Sequence, residues 1–423
     1  MTPQPVAHQS SPFGAFSHMP FVVMWVATTV SLTGLAISDT SSAWLMTTLN
    51  PDPRAVSLVQ VASSLPMFLC TVPAGALADM VEARRFLILL ETLVVLLMGL
   101  MGAVVYFHRL TPVFLLSTNF ILSVIWSLAS PAWLSTTPLL VAPRDLAGAN
   151  AANSVGYNLS RAVGPAAAGL AIAKLGAYSP YWLFAAADLS SVAALVWWRP
   201  PKKSNLSLTR RRVICAVRIG FRHAVKNTRL QATMIRTGAV YPFACAYLAL
   251  LPLIARHQLT HGAAIYGILL AVVSVGAVLG SVVLASMQKR LDPNMIVAAG
   301  TAGLALSLVL FGLARNLVLA ATAALIAGAA WTVVLSVLYV SAQLALPDWV
   351  RGRGLSIFLT VIFGSITLGS ALWGLIAAKF GLEVALFAAA AGALLAIPLS
   401  LRWRLRAQEI ETSVPPIGVQ PVA

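Results

Sequence analysis

The sequence predicts an all-α membrane protein: twelve transmembrane helices, built as two six-helix bundles related as parallel repeats. Three observations carry that expectation. The 423 residues are 59% hydrophobic and only 9% charged, whereas water-soluble domains are about a quarter charged. The apolar residues come in repeated blocks of about 20, the helix length that crosses a hydrocarbon layer ~30 Å thick. The first half of the chain also matches the second at an offset of 204 to 205 residues.

The spans fall at 20–46, 55–77, 86–107, 112–138, 148–173 and 181–198, then at 231–254, 263–286, 294–313, 317–341, 354–378 and 382–401. Only helices or closed barrels satisfy the backbone in lipid, and barrel strands would be about half this length. The first 20 residues hold no Lys or Arg, so they lack the basic start of a cleaved signal peptide. The expected organisation is a disordered cytoplasmic lead (1–19), a first bundle (20–198), a basic cytoplasmic linker (199–229), a second bundle (230–402) and a cytoplasmic tail (403–423).

Charge sets the orientation. One set of loops holds Arg84, Arg85, Arg144, the segment 199–229, Lys289, Arg290, Arg351, Arg353, Arg402, Arg404 and Arg406. The opposite loops hold single basic residues: Arg54, Arg109, Lys174, Arg256, Arg315 and Lys379. Basic loops stay in the cytoplasm, so both termini are expected there. The net charge of +16 then reflects orientation, and no nucleic-acid partner is expected.

In the linker, Pro200 and Pro201 stop the sixth span, because Pro lacks the helical donor. Val213, Val217, Phe221 and Val225 recur every four residues. That spacing predicts an amphipathic helix on the membrane surface, with Arg218, Arg222 and Lys226 toward anionic headgroups.

The repeat is explicit at several positions. Gly75, Arg84 and Arg85 match Gly280, Lys289 and Arg290; Gly169 and Gly176 match Gly374 and Gly381; Pro143 and Gly148 match Pro347 and Gly352. Six helices return the chain to the same side, so the copies are parallel, with a substrate path expected between them.

Chemistry of other kinds finds no support. There is no GxxxxGK[ST], HExxH or GxSxG, and Cys70, Cys215 and Cys245 have no CxxC spacing. No enzyme activity, cofactor, disulfide or metal site is expected.

The stretch Thr71–Arg85, TVPAGALADMVEARR, concentrates Asp79, Glu82, Arg84 and Arg85 in one turn. An ordinary positive-inside loop would carry the same basic pair, but Asp79 has Leu284 as its counterpart in the second copy. Within the spans, Arg161 is costly, by about 2.5–3.5 kcal/mol on insertion scales, unless it is paired or faces water. The acids available are Asp39, Glu91 and Asp188. Glu91 is within two turns of the cytoplasmic end and reads as snorkelling, as does Arg236 near the start of the seventh span. An Arg161–Asp39 pair facing the centre would act as a proton switch, since burial favours a neutral carboxyl and a nearby guanidinium a charged one. The alternative is a static pair that fixes helix packing. Neutral polar and aromatic groups in the fourth, seventh and tenth spans (Asn119, Trp126, Tyr241, Trp331, Tyr339 and Gln343) would suit a bulky, partly apolar ligand. Aromatics at span ends also serve as interface belts.

These features resemble the major facilitator superfamily over nearly the whole chain. PAWLSTTPLLVAPRDLAGANA (131–151), SRAVGPAAAG (160–169), LLPLIAR (250–256) and QLALPDWVRGRGLS (343–356) narrow the resemblance to the bacterial exporter branch that includes macrolide-efflux proteins and the enterobactin exporter. The resemblance implies a loop 2–3 latch in which Gly75 lets helices approach, Asp79 clamps the other half, and Arg84 and Arg85 form the basic pair, with Arg85 as partner of Asp79. Met80, Glu82 and Ala83 depart from the family pattern, which implies a weakened latch or one rewired through Glu82. Gly164, Pro165 and Gly169 match the family's antiporter motif, taken to bend the helix and limit proton leak, with close packing as the alternative reading. Asp145 and Asp348 suit the positive ends of the helices they precede.

The function implied is proton-coupled export of a small amphiphilic compound (drug-like, macrolide-like or siderophore-like) by alternating access, with Asp39, Arg161 and Asp188 as the proton-coupling set. The expected partners are a small-molecule substrate, protons and anionic lipid, around a functional monomer. The alternatives are a proton-coupled importer and a non-transporting sensor or scaffold.

Overall fold

The computed structural model describes residues 14–78, 80–199, 226–259 and 262–405. Among them no strand occurs, and twelve long helices follow one another. The first six are α1 (Met19–Leu49), α2 (Pro53–Ala78), α3 (Ala83–Tyr106), α4 (Pro112–Thr136), α5 (Leu146–Leu175) and α6 (Ser179–Trp197). The second six begin with α7, formed by Thr228–Ala244, then Ala246–Leu253 and a π turn at Ile254–Gln258. There follow α8 (Ala263–Met287), α9 (Pro293–Leu313), α10 (Leu317–Leu344), α11 (Asp348–Phe380) and α12 (Leu382–Leu401). Eleven of the twelve are long and apolar enough to cross a membrane. The exception is α5, whose first turns carry Asn150, Asn153, Ser154, Asn158, Ser160 and Arg161.

Local chemistry sets the boundaries. Thr111 Oγ1 accepts from Phe114 N at 3.2 Å and Asp292 Oδ2 from Asn294 N at 3.1 Å, each just before a Pro in the first turn, where a missing donor costs nothing. Pro242 and Pro252 lie inside α7, which breaks at Cys245. Helices α5 and α11 both stop at a glycine in the left-handed region, Gly176 at φ 99° and Gly381 at φ 93°, where a side chain would be strained. The repeat is thus visible in the backbone.

Packing repeats as well. In the first bundle α1 packs on α5 and α6, α2 on α4, and α3 on α6 and α4; in the second, α7 packs on α11 and α12, α8 on α10, and α9 on α12 and α10. The bundles meet along two equivalent seams, α2 with α11 and α5 with α8. Both seams are tight at the end of the molecule far from the termini. A Cβ at Gly169 would stand 2.8 Å from Ala264 Cα and 3.0 Å from Ala263 O; one at the equivalent Gly374 would stand 2.7 Å from Ser57 Cβ and 3.1 Å from Pro53 O. Ser64 Oγ and Thr367 Oγ1 are 2.7 Å apart, and Trp44 stacks on Tyr266 at 6.2 Å. Arg256 reaches across to Thr47, 3.2 Å from its hydroxyl. At the end carrying the termini, a Cβ at Gly75 or Gly352 would meet nothing within 4 Å.

Several expectations are corrected. Residues Gly14–Ser17 of the lead form a 3-10 turn, with Ala15 fully buried and Phe16 edge-on to Phe21 and Trp25 at 5.6 and 5.3 Å. Asp348 is the first residue of α11 and does not precede it, because Pro347 serves as its N-cap. The tail is held as far as Leu405, which exchanges hydrogen bonds with Asn294 at 2.9 and 3.0 Å. The surface helix expected from Val213 to Val225 lies outside the described residues.

Candidate functional site

A cavity of about 320 Å³ lies inside the first bundle, in the half nearest the termini. That size is within the range of small-molecule sites. Helix α1 contributes Phe21, Trp25 and Thr28; α4 contributes Trp126 and Trp133; α5 contributes Tyr157. Trp25 is held in place by donating to Ala152 O at 2.8 Å. At the back of the cavity stand Glu91 of α3 and Ser191 of α6.

Glu91 does not snorkel. It is 8% exposed, and Trp133 Nε1 donates to its Oε1 at 2.7 Å. Its other neighbour is Asp188 of α6, 1% exposed, to whose Oδ1 Ser31 Oγ donates at 2.6 Å. The two acids act on one another across the α3–α6 seam. Asp188 Oδ2 has no N–H or hydroxyl donor among the described residues, and no Lys, Arg or His among them forms an ion pair with either acid. Buried carboxylates without a cation or a full set of donors are expensive.

Asp39 and Arg161 both face the space between the halves, and each feels the other's charge. They do not form the ion pair that the sequence suggested. Arg161 Nη1 instead donates to Tyr157 Oη at 3.1 Å, with the guanidinium 5.7 Å from that ring. Tyr157 lies one turn earlier on the same helix, so this contact is local and competes with the longer reach to α1. The Arg161 backbone is also tied to the second half, since Ser274 Oγ donates to its carbonyl at 2.8 Å.

The remaining candidates separate by position. Asp79 lies outside the described residues. Arg84 turns inward and caps α6, donating to Leu195 O at 2.8 Å and Val196 O at 2.9 Å, because the free carbonyls of a helix end attract a guanidinium. Arg85 pairs with Glu82 at 2.8 Å on the surface. In the Gly-Pro segment, a Cβ on Gly164 would stand 2.5 Å from Ala36 Cβ and 3.2 Å from Thr33 O of α1, while Pro165 O faces Gly267 of α8. Asp145 is buried and bonds His18 Nε2 at 3.0 Å instead of capping α5. Asn119 donates to Leu115 O of its own helix at 2.9 Å. Tyr241 is 1% exposed and edge-on to Trp331 at 4.8 Å, and Tyr339 packs on Phe358 at 6.1 Å. Tyr241 and Trp331 therefore build the second bundle's core. Gln343 is half-buried near the end of α10. Of the six expected cavity residues, only Trp126 lines this cavity. Arg236 is 1% exposed, not at the interface, and its Nε donates to Ser400 O at 3.1 Å.

Glu91, Trp133, Ser31 and Tyr157 were not expected at the site. The one available signal was that Glu91 and Asp188 are both acids inside apolar spans; nothing in the sequence places α3 beside α6.

A model of the transmembrane secretion effector family matches residues 10–420. The chain is similar to the multidrug efflux pump Tap of Mycolicibacterium fortuitum, 24% identical over 87% of this chain and 92% of that protein. It is also similar to the enterobactin exporter EntS of Escherichia coli O1:K1, 24% identical over 85% of each. Among solved structures, it resembles a bacterial homologue of the human lysosomal transporter Spinster in an inward-facing and occupied conformation, with TM-score 0.71, 12% identity, and 93% and 97% of the two chains covered. A POT family transporter in complex with a thioalcohol-conjugated peptide gives TM-score 0.73, 12% identity, and 90% and 95% covered.

Proposed function

Because the chain belongs to the transmembrane secretion effector family, within the major facilitator superfamily, we propose that it exports a small amphiphilic compound from the cytoplasm in exchange for protons. It is a multi-pass membrane transporter; direction, cargo and coupling are the proposal. The observation that carries it is the aromatic cavity of the first bundle, with an acid in its wall, placed at the end where the halves are parted. On this reading that end faces the cytoplasm of a bacterial inner membrane, which the charge bias supports, and this is the loading state of an exporter. Tap and EntS, both efflux proteins by name, support the direction.

In the cycle, the far-end seams open as the near end closes, by rocking of two rigid bundles. Asp79, beside Gly75 and the Arg84–Arg85 pair, latches the closed near end. Arg161 leaves Tyr157 for Asp39 when Ser274 and α8 swing away, so the charged pair forms in one state and breaks in the other. Gly164, Pro165 and Gly169 keep the α5 contacts close and limit proton leak. The molecule works as a monomer, with the linker resting on anionic lipid.

Inverted membrane vesicles test this directly. Wild-type vesicles accumulate a lipophilic dye or macrolide when an inside-acid pH gradient is imposed, and Asp39→Asn drops accumulation to the level without a gradient. Gradient-independent uptake by the wild type refutes proton exchange, and unchanged uptake by Asp39→Asn removes Asp39 from the coupling.

A further inference from the structure

The geometry points to Glu91 and Asp188 as a shared-proton pair that a lipophilic cation discharges on entering the first-bundle cavity, an inference resting on the transporter reading above. Three observations meet there. Among the described residues each acid has one donor from outside the pair, Trp133 for Glu91 and Ser31 for Asp188, leaving Asp188 Oδ2 unpartnered and buried. Glu91 reaches the cavity, whose lining holds no Lys, Arg or His. The walls include Trp25, Trp126 and Trp133, and aromatic faces attract cations, while the fourth aromatic wall, Tyr157, already carries the Arg161 guanidinium.

The site lies on α3 and α6, away from the α2–α11 and α5–α8 seams where the halves meet. It reaches them through α1, which carries Ser31 against Asp188 and Asp39 two turns further on, and which packs on both α5 and α6. The charge balance is simple. With one proton the pair carries a single negative charge. A monovalent cation binds beside Glu91, the proton leaves to water at the open end, and the site keeps the same total charge. At the other face of the membrane the proton returns and the cation leaves.

Purified full-length protein in weakly buffered detergent tests this with tetraphenylphosphonium, and with triphenylphosphine oxide as an uncharged aromatic probe. The expected result is one proton released per phosphonium bound, with affinity falling about tenfold for each unit of pH below the point where the pair takes up its proton. Glu91→Gln abolishes both the release and the pH dependence. Trp133→Phe, which keeps an aromatic ring and removes only the donor to Glu91, moves the pH midpoint and keeps the release; it decides the matter if Glu91→Gln does not fold. Phosphonium binding without proton release, equal binding of the phosphine oxide, or an unmoved midpoint in Trp133→Phe overturns the proposal. Proton-linked binding without gradient-driven transport removes the export reading and leaves the site. Gradient-driven export that survives in Glu91→Gln removes the site and leaves export.

Discussion

Gly169→Ala is expected to open the end of the protein far from the termini and to stop turnover. In the present state the added methyl would stand 2.8 Å from Ala264 Cα and 3.0 Å from Ala263 O. Those are backbone atoms, so no rotamer change relieves them. Overpacking of this kind costs about 1–3 kcal/mol, and about 2 kcal/mol shifts a two-state equilibrium about thirtyfold. The penalty exists only where the α5–α8 seam is closed, so it acts on the balance between states. Gly374→Ala should act in the same direction and more weakly, since Ser57 can partly yield. Gly164→Ala is the control. Its clash is with Ala36 and Thr33 inside the first bundle, so it should lower the melting temperature without favouring either state. A Ser64→Cys reporter in a background without the native cysteines reads the result through alkylation by an impermeant maleimide from the far side. Ser64 faces Thr367 across the closed seam, so labelling should be slow in the parent and accelerated in Gly169→Ala. Equal rates would mean that the seam flexes around the methyl, and that the halves do not pivot there.

These glycines were legible in the sequence as a pair, because duplication repeats whatever backbone geometry the seam demands. Gly169 with Gly374, and Gly176 with Gly381, stand out at one offset with no knowledge of contacts. The spans were legible because lipid imposes length and polarity on every helix. Side-chain pairing carries no such periodicity. The scarcity of charges points Arg161 toward Asp39, yet Tyr157 on the same helix claims it. The distance of Glu91 from a span end says little, since its burial is decided by Trp133 on α4 and Asp188 on α6, 42 and 97 positions away. In this state Arg84 gives its donors to the end of α6, a contact that no local pattern announces. The fold follows from what each segment needs alone; the site follows from which segments meet.

Arg236→Ala is expected to destabilise the second bundle by about 3–5 kcal/mol, from loss of both a cap and a buried volume. Arg236 is 1% exposed and holds the end of α12 through Ser400 O at 3.1 Å, with Asp292 supplying the nearby opposite charge. The reason such a costly residue is retained lies in the repeat. Leu195, 205 positions before Ser400, presents the equivalent carbonyl at the end of α6, and Arg84 of α3 caps it. Both bundles need a guanidinium at that helix end, but they recruit it from different helices. The position equivalent to Arg236 in the first bundle is Ser31, which donates to Asp188. Freeing Ser31 from capping is what lets the first bundle keep a buried acid pair there. Arg236→Met should refill the volume and lose only the cap, at about 1–2 kcal/mol, so its apparent melting temperature in detergent should fall between those of wild type and Arg236→Ala. Identical losses in the two variants would show that the cap alone matters, and no loss in either would remove the guanidinium from the account of how α12 is held. Surviving Arg236→Met protein should still bind tetraphenylphosphonium with proton release, because the acid pair belongs to the other bundle.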